Sequence, residues 1–183
     1  MGDRHSGYRR LTTLVGALLL ASTAWAQGAS ALVAPSVPGS IAVPAGNVPF
    51  LVGHASGAQI YRCQAADSTY AWTLVAPAAV LKDDAGRLIA WHYAGPSWRA
   101  VDGSTVMAAR IGSATAPIPN AIPWLLLAVT SHPGPAGALT PTTFIQRINT
   151  TGGVAPATGC DAAHVGATTS VPYTADYWFY KAG

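Results

Sequence analysis

Turn-forming residues interrupt this chain so often that, past an apolar stretch near its start, no amphipathic helix of about ten residues finds room. Asp83-Asp84-Ala85-Gly86, Gly95-Pro96, Asp102-Gly103, Pro133-Gly134-Pro135 and Thr151-Gly152-Gly153 each mark a reversal or a loop. Pro117, Pro119 and Pro123 deny a helix to the stretch between them. The segments left over are short and rich in Val, Thr, Tyr and Trp, the residues that suit a pleated, half-buried surface. They are Gln59–Cys63, Ala71–Val75, Val80-Leu81, Arg87–Tyr93, Trp98–Val101, Thr105–Ile111, Phe144–Thr150 and Tyr173–Tyr180, with a hairpin loop at Ala66–Thr69. Phe144–Thr150 alternates apolar and polar residues as a half-buried strand should. Trp124–Val129 is continuously apolar, which suits a central strand or a short buried helix equally. The chain has no Glu and only 9% charged residues, so the usual exposed helix formers are scarce. The expected fold is all-β: an antiparallel sandwich or barrel of about seven or eight short strands, without internal repeats.

The apolar stretch near the start has its own explanation. Arg4, His5, Arg9 and Arg10 precede Leu11–Ala21, and Ala24-Trp25-Ala26 follows as an A-x-A site. A basic start, a short apolar run and small residues at the end are the three parts of a cleavable secretory signal. The run is too short to span a bilayer, which takes about 20 apolar residues. The expected organisation is a signal peptide at 1–26, cleaved near Ala26, an extended lead-in at 27–46 rich in Ala, Ser, Pro and Gly, and one β-rich domain at 47–183. The mature protein is expected in the periplasm or outside the cell, without a membrane span. Cleavage would remove Arg4, Arg9, Arg10 and Asp3, leaving seven basic and six acidic residues. The net charge of +3 thus falls to +1, and no basic patch remains to support nucleic-acid binding.

Cys63 and Cys160 are the only cysteines, and neither lies in a C-x-x-C or beside a His. In an oxidising compartment such a pair reads as a disulfide. Closing a loop of roughly 100 residues contributes about 4–5 kcal/mol at most in the chain-entropy picture. His54, His92, His132 and His164 show no H-x-H or H-x-x-x-H spacing, so no metal site and no cofactor is expected.

Six blocks in order carry a family resemblance: GAQIYRC at 57–63, WTLVAPAAVL at 72–81, GPSWRAVDGSTV at 95–106, AIPWLLLAV at 121–129, FIQRINTTGGVAP at 144–156 and CDAAHVGATTSVPYTADYWFY at 160–180. Together they resemble the secreted bacterial and fungal family known as domain of unknown function 3455, over about residues 44–180. The resemblance implies an exported domain with no established activity and no agreed catalytic residues. Some members bear a malate dehydrogenase label, but this chain has no G-x-G-x-x-G after a strand and no ribose-binding acid downstream.

The segment richest in functional side chains holds His92, Trp98, Arg99 and Asp102 around the Gly95-Pro96 turn. An indole can stack on a pyranose while a guanidinium and a carboxylate bond its hydroxyls. The structural reading of the same residues is that Trp91 and Trp98 are core and Asp102 caps its turn with Gly103. Near the C-terminus, alternation puts Tyr177 and Phe179 on one side of a strand and Trp178 and Tyr180 on the other. One side is expected in the core, the other as a binding strip or inter-sheet contact. No G-x-S-x-G elbow supports a nucleophilic hydrolase. The expected function is a non-catalytic envelope or extracellular binding or structural module, with a surface glycan or another envelope component as partner. The alternative is a hydrolase using Asp102 with His92 or Asp176.

Overall fold

In a computed structural model, which describes residues 1–3, 31–67 and 69–183, the turn-punctuated segments become eight strands. They are β1 (Asn47–Ala66), β2 (Thr69–Lys82), β3 (Leu88–Tyr93), β4 (Ser97–Ala100), β5 (Thr105–Ala114), β6 (Trp124–Ser131), β7 (Thr142–Gly152) and β8 (Thr168–Ala182). Each pairs antiparallel with its sequence neighbour, and β8 returns to pair with β1, closing an up-and-down barrel. Among the described residues no helix is long and apolar enough to cross a membrane. Residues 4–30, which hold most of the expected signal peptide and the start of the lead-in, lie outside the described residues.

Several segments that look separate in sequence are single strands. Ala71–Val75 and Val80-Leu81 are one strand, β2, and Gln59–Cys63 is the second half of a 20-residue β1. The interruptions are bulges rather than ends: the β1–β2 register shifts between Ile60 and Tyr61, with Val75 as the extra residue opposite. Trp124–Val129 is a strand, flanked on both sides by β5 and β7. Its continuous apolar character follows from burial on two faces.

Alternation divides these strands between an inner and an outer face. Inside, the aromatic residues Tyr173, Tyr177 and Phe179 of β8 and Trp98 of β4 pack against the small Ala55, Ala79, Ala90, Ala100 and Ala108. Outside, Tyr180 is also buried, and Trp178 is covered by the lead-in. Gly39–Ile41 makes a short 3-10 turn that buries Ile41 completely. Ile41 packs with Leu126 and Ile148, and Val37, Val43, Trp124, Phe144 and Trp178 join this second cluster. Burying an Ile side chain in this way contributes about 2 kcal/mol. The Gln146 amide ties the layers together: its Nε2 donates to the Ile41 carbonyl at 2.6 Å, and its Oε1 accepts from the Tyr180 hydroxyl at 2.9 Å. Gly112 lets this strap cross β5, because a Cβ there would collide with the Ser40 carbonyl.

The two barrel ends are finished differently. At one end the β4–β5 turn grips the β6–β7 loop. Asp102 accepts from the backbone and hydroxyl of Ser104 and from the Ala138 N–H. Ser104 Oγ in turn accepts from the Leu139 N–H, which fixes Leu139 as a buried plug. Gly137 sits where any side chain would strike the Asp102 carboxylate. At the other end, Cys63 at the end region of β1 is bonded to Cys160 in the β7–β8 loop, with Cα atoms 5.3 Å apart. Backbone bonds Cys63–Ala167 and Gly166–Cys63, and the Trp72 Nε1 bond to the Thr158 carbonyl, hold the same loop.

The bond spans 97 residues of chain, so its removal frees nearly the whole domain in the unfolded state. Reduction is expected to lower Tm by about 10 °C, taking about 4–5 kcal/mol and about 2–4 °C per kcal/mol for a domain of this size. Calorimetric scans with and without a phosphine reductant measure this, and an unchanged Tm contradicts it.

Candidate functional site

The end of the barrel that carries the disulfide holds a cavity of about 280 Å³. All eight strands or their turns face it. Its wall is largely apolar, from Leu74, Pro77, Pro96, Leu125 and Leu127, with a few polar groups set among them. Such a wall with sparse, convergent polar groups is what small-molecule sites have in common.

The floor is built by β3–β4 pairing. His92 and Trp98 are directly opposed across that ladder, which puts both side chains on the inner face. Their rings stack at 4.2 Å and 8°, and Tyr177 meets both edge-on at 5.0 and 5.4 Å. His92 is only 3% exposed. Its Nδ1 lies 2.9 Å from the Ser97 carbonyl, which can only accept, so Nδ1 carries the proton and Nε2 keeps a lone pair. Burial pushes the imidazole down to about 3, so it is neutral across the physiological range. Burial likewise raises the Tyr177 and Tyr173 hydroxyls, which stay protonated and lie 3.3 Å apart.

Three more polar groups line the cavity. Arg147 on β7 and Arg110 on β5 face inward because their ladder partners, Tyr177 and Leu127, do. Arg147 spends Nε and Nη2 on the Pro123 carbonyl, at 3.2 and 2.8 Å. Arg110 is exposed and stands at the mouth. Gln59 is 2% exposed and its Nε2 has no partner, nor does the buried Trp98 Nε1. Buried donors are normally paired. Of four such orphans among the described residues, the Trp124 and Trp178 indole N–H groups lie in the cluster under the lead-in, and these two, of Gln59 and Trp98, belong to residues that line the cavity.

Of the residues singled out in sequence, His92 and Trp98 thus meet inside the barrel. Arg99 and Asp102 do not join them. Arg99 is exposed on the outer face opposite Trp91, and Asp102 is committed to the plug at the other end. Trp98 is fully buried, so it cannot stack on a sugar outside the barrel. No hydrogen bond joins His92 to Asp102 or Asp176. Arg147, Arg110 and Gln59 were missed. The one available signal was parity: Arg147 shares a face with Ile145, two residues away.

Asp176 belongs to a second polar cluster, on the outer face. His54 Nδ1 is 2.7 Å from Asp176 Oδ1, and His54 Nε2 is 2.8 Å from Asp84 Oδ1. Asn149 donates to the other Asp176 oxygen at 2.8 Å. Both His54 nitrogens face carboxylates, so both must donate, and the ring is an imidazolium. The hydrogen bond to Asp84, then that to Asp176, raise its pKa. This clasp joins β1, β7, β8 and the β2–β3 turn, and its contribution is lost only as pH rises through the raised value. The other two histidines among the described residues stand apart, His132 on the Thr142 carbonyl and His164 on Asp161. Among the described residues no three metal-ligating side chains converge.

The buried neutral His92 makes stability depend on pH in a defined sense. Its folded pKa is depressed, so the unfolded chain binds more protons and stability falls as pH drops below about 6.5. Between pH 6.5 and 4.5 the loss should be about 2 kcal/mol. In that window the His54 clasp is present, and the depressed carboxylates of Asp83, Asp102 and Asp161 release little of their stability. Denaturant titrations at the two pH values should show the loss, and His92→Asn should abolish most of it. A variant with the same pH slope as the parent would contradict the assignment.

Residues 44–181 match the profile of the family described as Protein of unknown function (DUF3455). No curated protein and no solved structure matches the chain. The match runs from just before β1 nearly to the end of β8, so the barrel, the cavity and the Cys63–Cys160 bond all fall inside it. The resemblance carried by the six sequence blocks is therefore a true relationship, and the chain belongs to the DUF3455 family of proteins of unknown function.

Proposed function

We propose that this protein is an exported, non-catalytic binding module that takes a small, partly apolar molecule into the disulfide-bearing end of its barrel. The observation that carries the reading is the cavity itself: an apolar wall over a stacked His92–Trp98 floor, with the Gln59 amide and Trp98 indole N–H unpaired. Eight-stranded barrels have an interior that side chains just fill or that holds one small ligand. Here the interior is filled at the Leu139 end and unfilled at the other. The disulfide and the basic, apolar and A-x-A segments at the start support export.

The volume sits at the small end of ligand sites, which run to about 300–1,000 Å³. A single ring or a medium-length chain fits; a polymer does not. Titration with 1-octanol should produce saturable NMR shifts in the His92, Leu127 and Tyr177 signals. Leu125→Trp, which fills the cavity, should weaken that binding at least tenfold while Tm stays within a few degrees. Absence of any shift at those residues would defeat the reading.

A glycan remains the second reading, on a different surface. Trp91 and Tyr93 are each 40% exposed on the outer face of β3, and Arg99 lies opposite Trp91 on β4. Together with Val101 they line a shallow groove. Two aromatic faces beside a guanidinium offer stacking and hydroxyl recognition together. On a glycan array the mature protein should then bind a defined subset of sugars, and Trp91→Ala should lose them. An array without signal, or one unchanged by Trp91→Ala, removes this reading.

A further inference from the structure

We infer that the molecule taken into the barrel carries an oxyanion head, a carboxylate being the simplest, on its apolar body. The inference rests on the cavity reading above and adds the chemical class of the ligand. Its basis is the imbalance of charge and of donors around the cavity.

Arg110 and Arg147 both line the cavity, and among the described residues neither has a carboxylate partner. Of the acidic side chains of the barrel domain, Asp67 lies in the exposed β1–β2 turn and forms no ion pair with either arginine, and the others are engaged elsewhere. Asp83 pairs with Arg87, Asp84 and Asp176 hold His54, Asp161 holds His164, and Asp102 is spent on the plug. Arg147 is partly buried in an apolar setting, where an unpaired cation is costly. Its two bonds to the Pro123 carbonyl, and its interaction with the Tyr177 hydroxyl, do not exhaust its five N–H donors. A neutral carbonyl satisfies geometry but does not compensate charge.

The other polar groups point to the same partner. Gln59 offers an unpaired NH2 and Trp98 an unpaired indole N–H, so donors dominate the wall. An oxyanion supplies acceptors in the number required and bonds a guanidinium in bidentate fashion. His92 is neutral there and adds no competing charge. Its Nε2 lone pair can accept one hydrogen bond from the ligand, which suits a hydroxyl or amide adjacent to the head. Leu74, Pro77, Leu125 and Leu127 leave no comparable partner for the rest of the molecule, which is therefore apolar.

Octanoate, 1-octanol and octylamine share one tail and differ only in head charge, so they separate this inference from the one beneath it. Titrated by calorimetry on the disulfide-bonded protein, octanoate should bind at least tenfold more tightly than 1-octanol, and octylamine should bind more weakly than either. Raising salt should weaken octanoate alone, because Arg110 is solvent-exposed. Arg147→Gln should bring octanoate down to the affinity of 1-octanol without changing the latter. Arg147 also braces Pro123, so Arg110→Gln, at the exposed mouth, provides the variant with no structural bond at risk. It should cost octanoate several-fold and 1-octanol nothing. Equal affinities for octanoate and 1-octanol overturn the anionic head and leave the cavity reading standing. Binding of none of the three overturns both.

Discussion

Everything in this molecule depends on the ladder between its first and last strands. Residues Asn47–Arg62 of β1 pair with Ala182–Thr168 of β8, and that seam turns a meander into a closed barrel. Closure gives every strand a neighbour on both sides, although β2 runs on past its pairing with β3, which covers only Ala79–Lys82. It also determines which face of every strand is interior. The seam is fastened along its length: the His54–Asp176 pair crosses it, and Cys63 carries the disulfide just past its end. Packing inside depends on the same pairing, since bulky Tyr173, Tyr177 and Phe179 of β8 enter opposite small residues of β1 to β5.

Once closed, the barrel spends its residues unequally on its two ends. The Asp102–Ser104 turn holds Leu139 in place, and that role accounts for the Asp102 carboxylate without a catalytic one. The other end keeps a cavity, two inward cations and two unpaired donors. Natural proteins seldom leave buried donors unmade, because each costs about 1–3 kcal/mol. The asymmetry marks one end as the place where binding energy is available, and the Cys63–Cys160 bond lies at that same end.

Much of the fold was legible in sequence, and the failures have a common origin. Gly95-Pro96, Asp102-Gly103 and Asp83–Gly86 mark real turns, and the strands between them form where Val, Thr, Tyr and Trp recur. Strand ends were harder, because bulges such as that at Ile60/Tyr61 break alternation without ending the strand. In the site, His92 and Trp98 were visible as a cluster of functional residues. Arg99 and Asp102 seemed equivalent to them, although one residue of offset sends Arg99 outside. Arg147 escaped because β7 carries apolar residues on both faces: Ile145 inside, Phe144 and Ile148 beneath the lead-in. With both faces apolar, alternation says which residues share a side and not which side is interior. The lead-in itself, read as merely extended, supplies the outer cover through Ile41.

The amino-acid sequence by itself determined the β-rich class, the turn positions, the pairing of two cysteines and the family. These follow from local backbone preference, side-chain period and simple elimination, which act over a few residues at a time or need no geometry. Closure rather than a sandwich, the inward aim of His92, Trp98, Arg110 and Arg147, and the covering strap were decided only by tertiary structure. Each depends on contacts between residues far apart in the chain, such as Gly53 with Tyr177 or Ile41 with Gln146. Such contacts form because they bury apolar area and pair backbone groups that no local segment can satisfy alone.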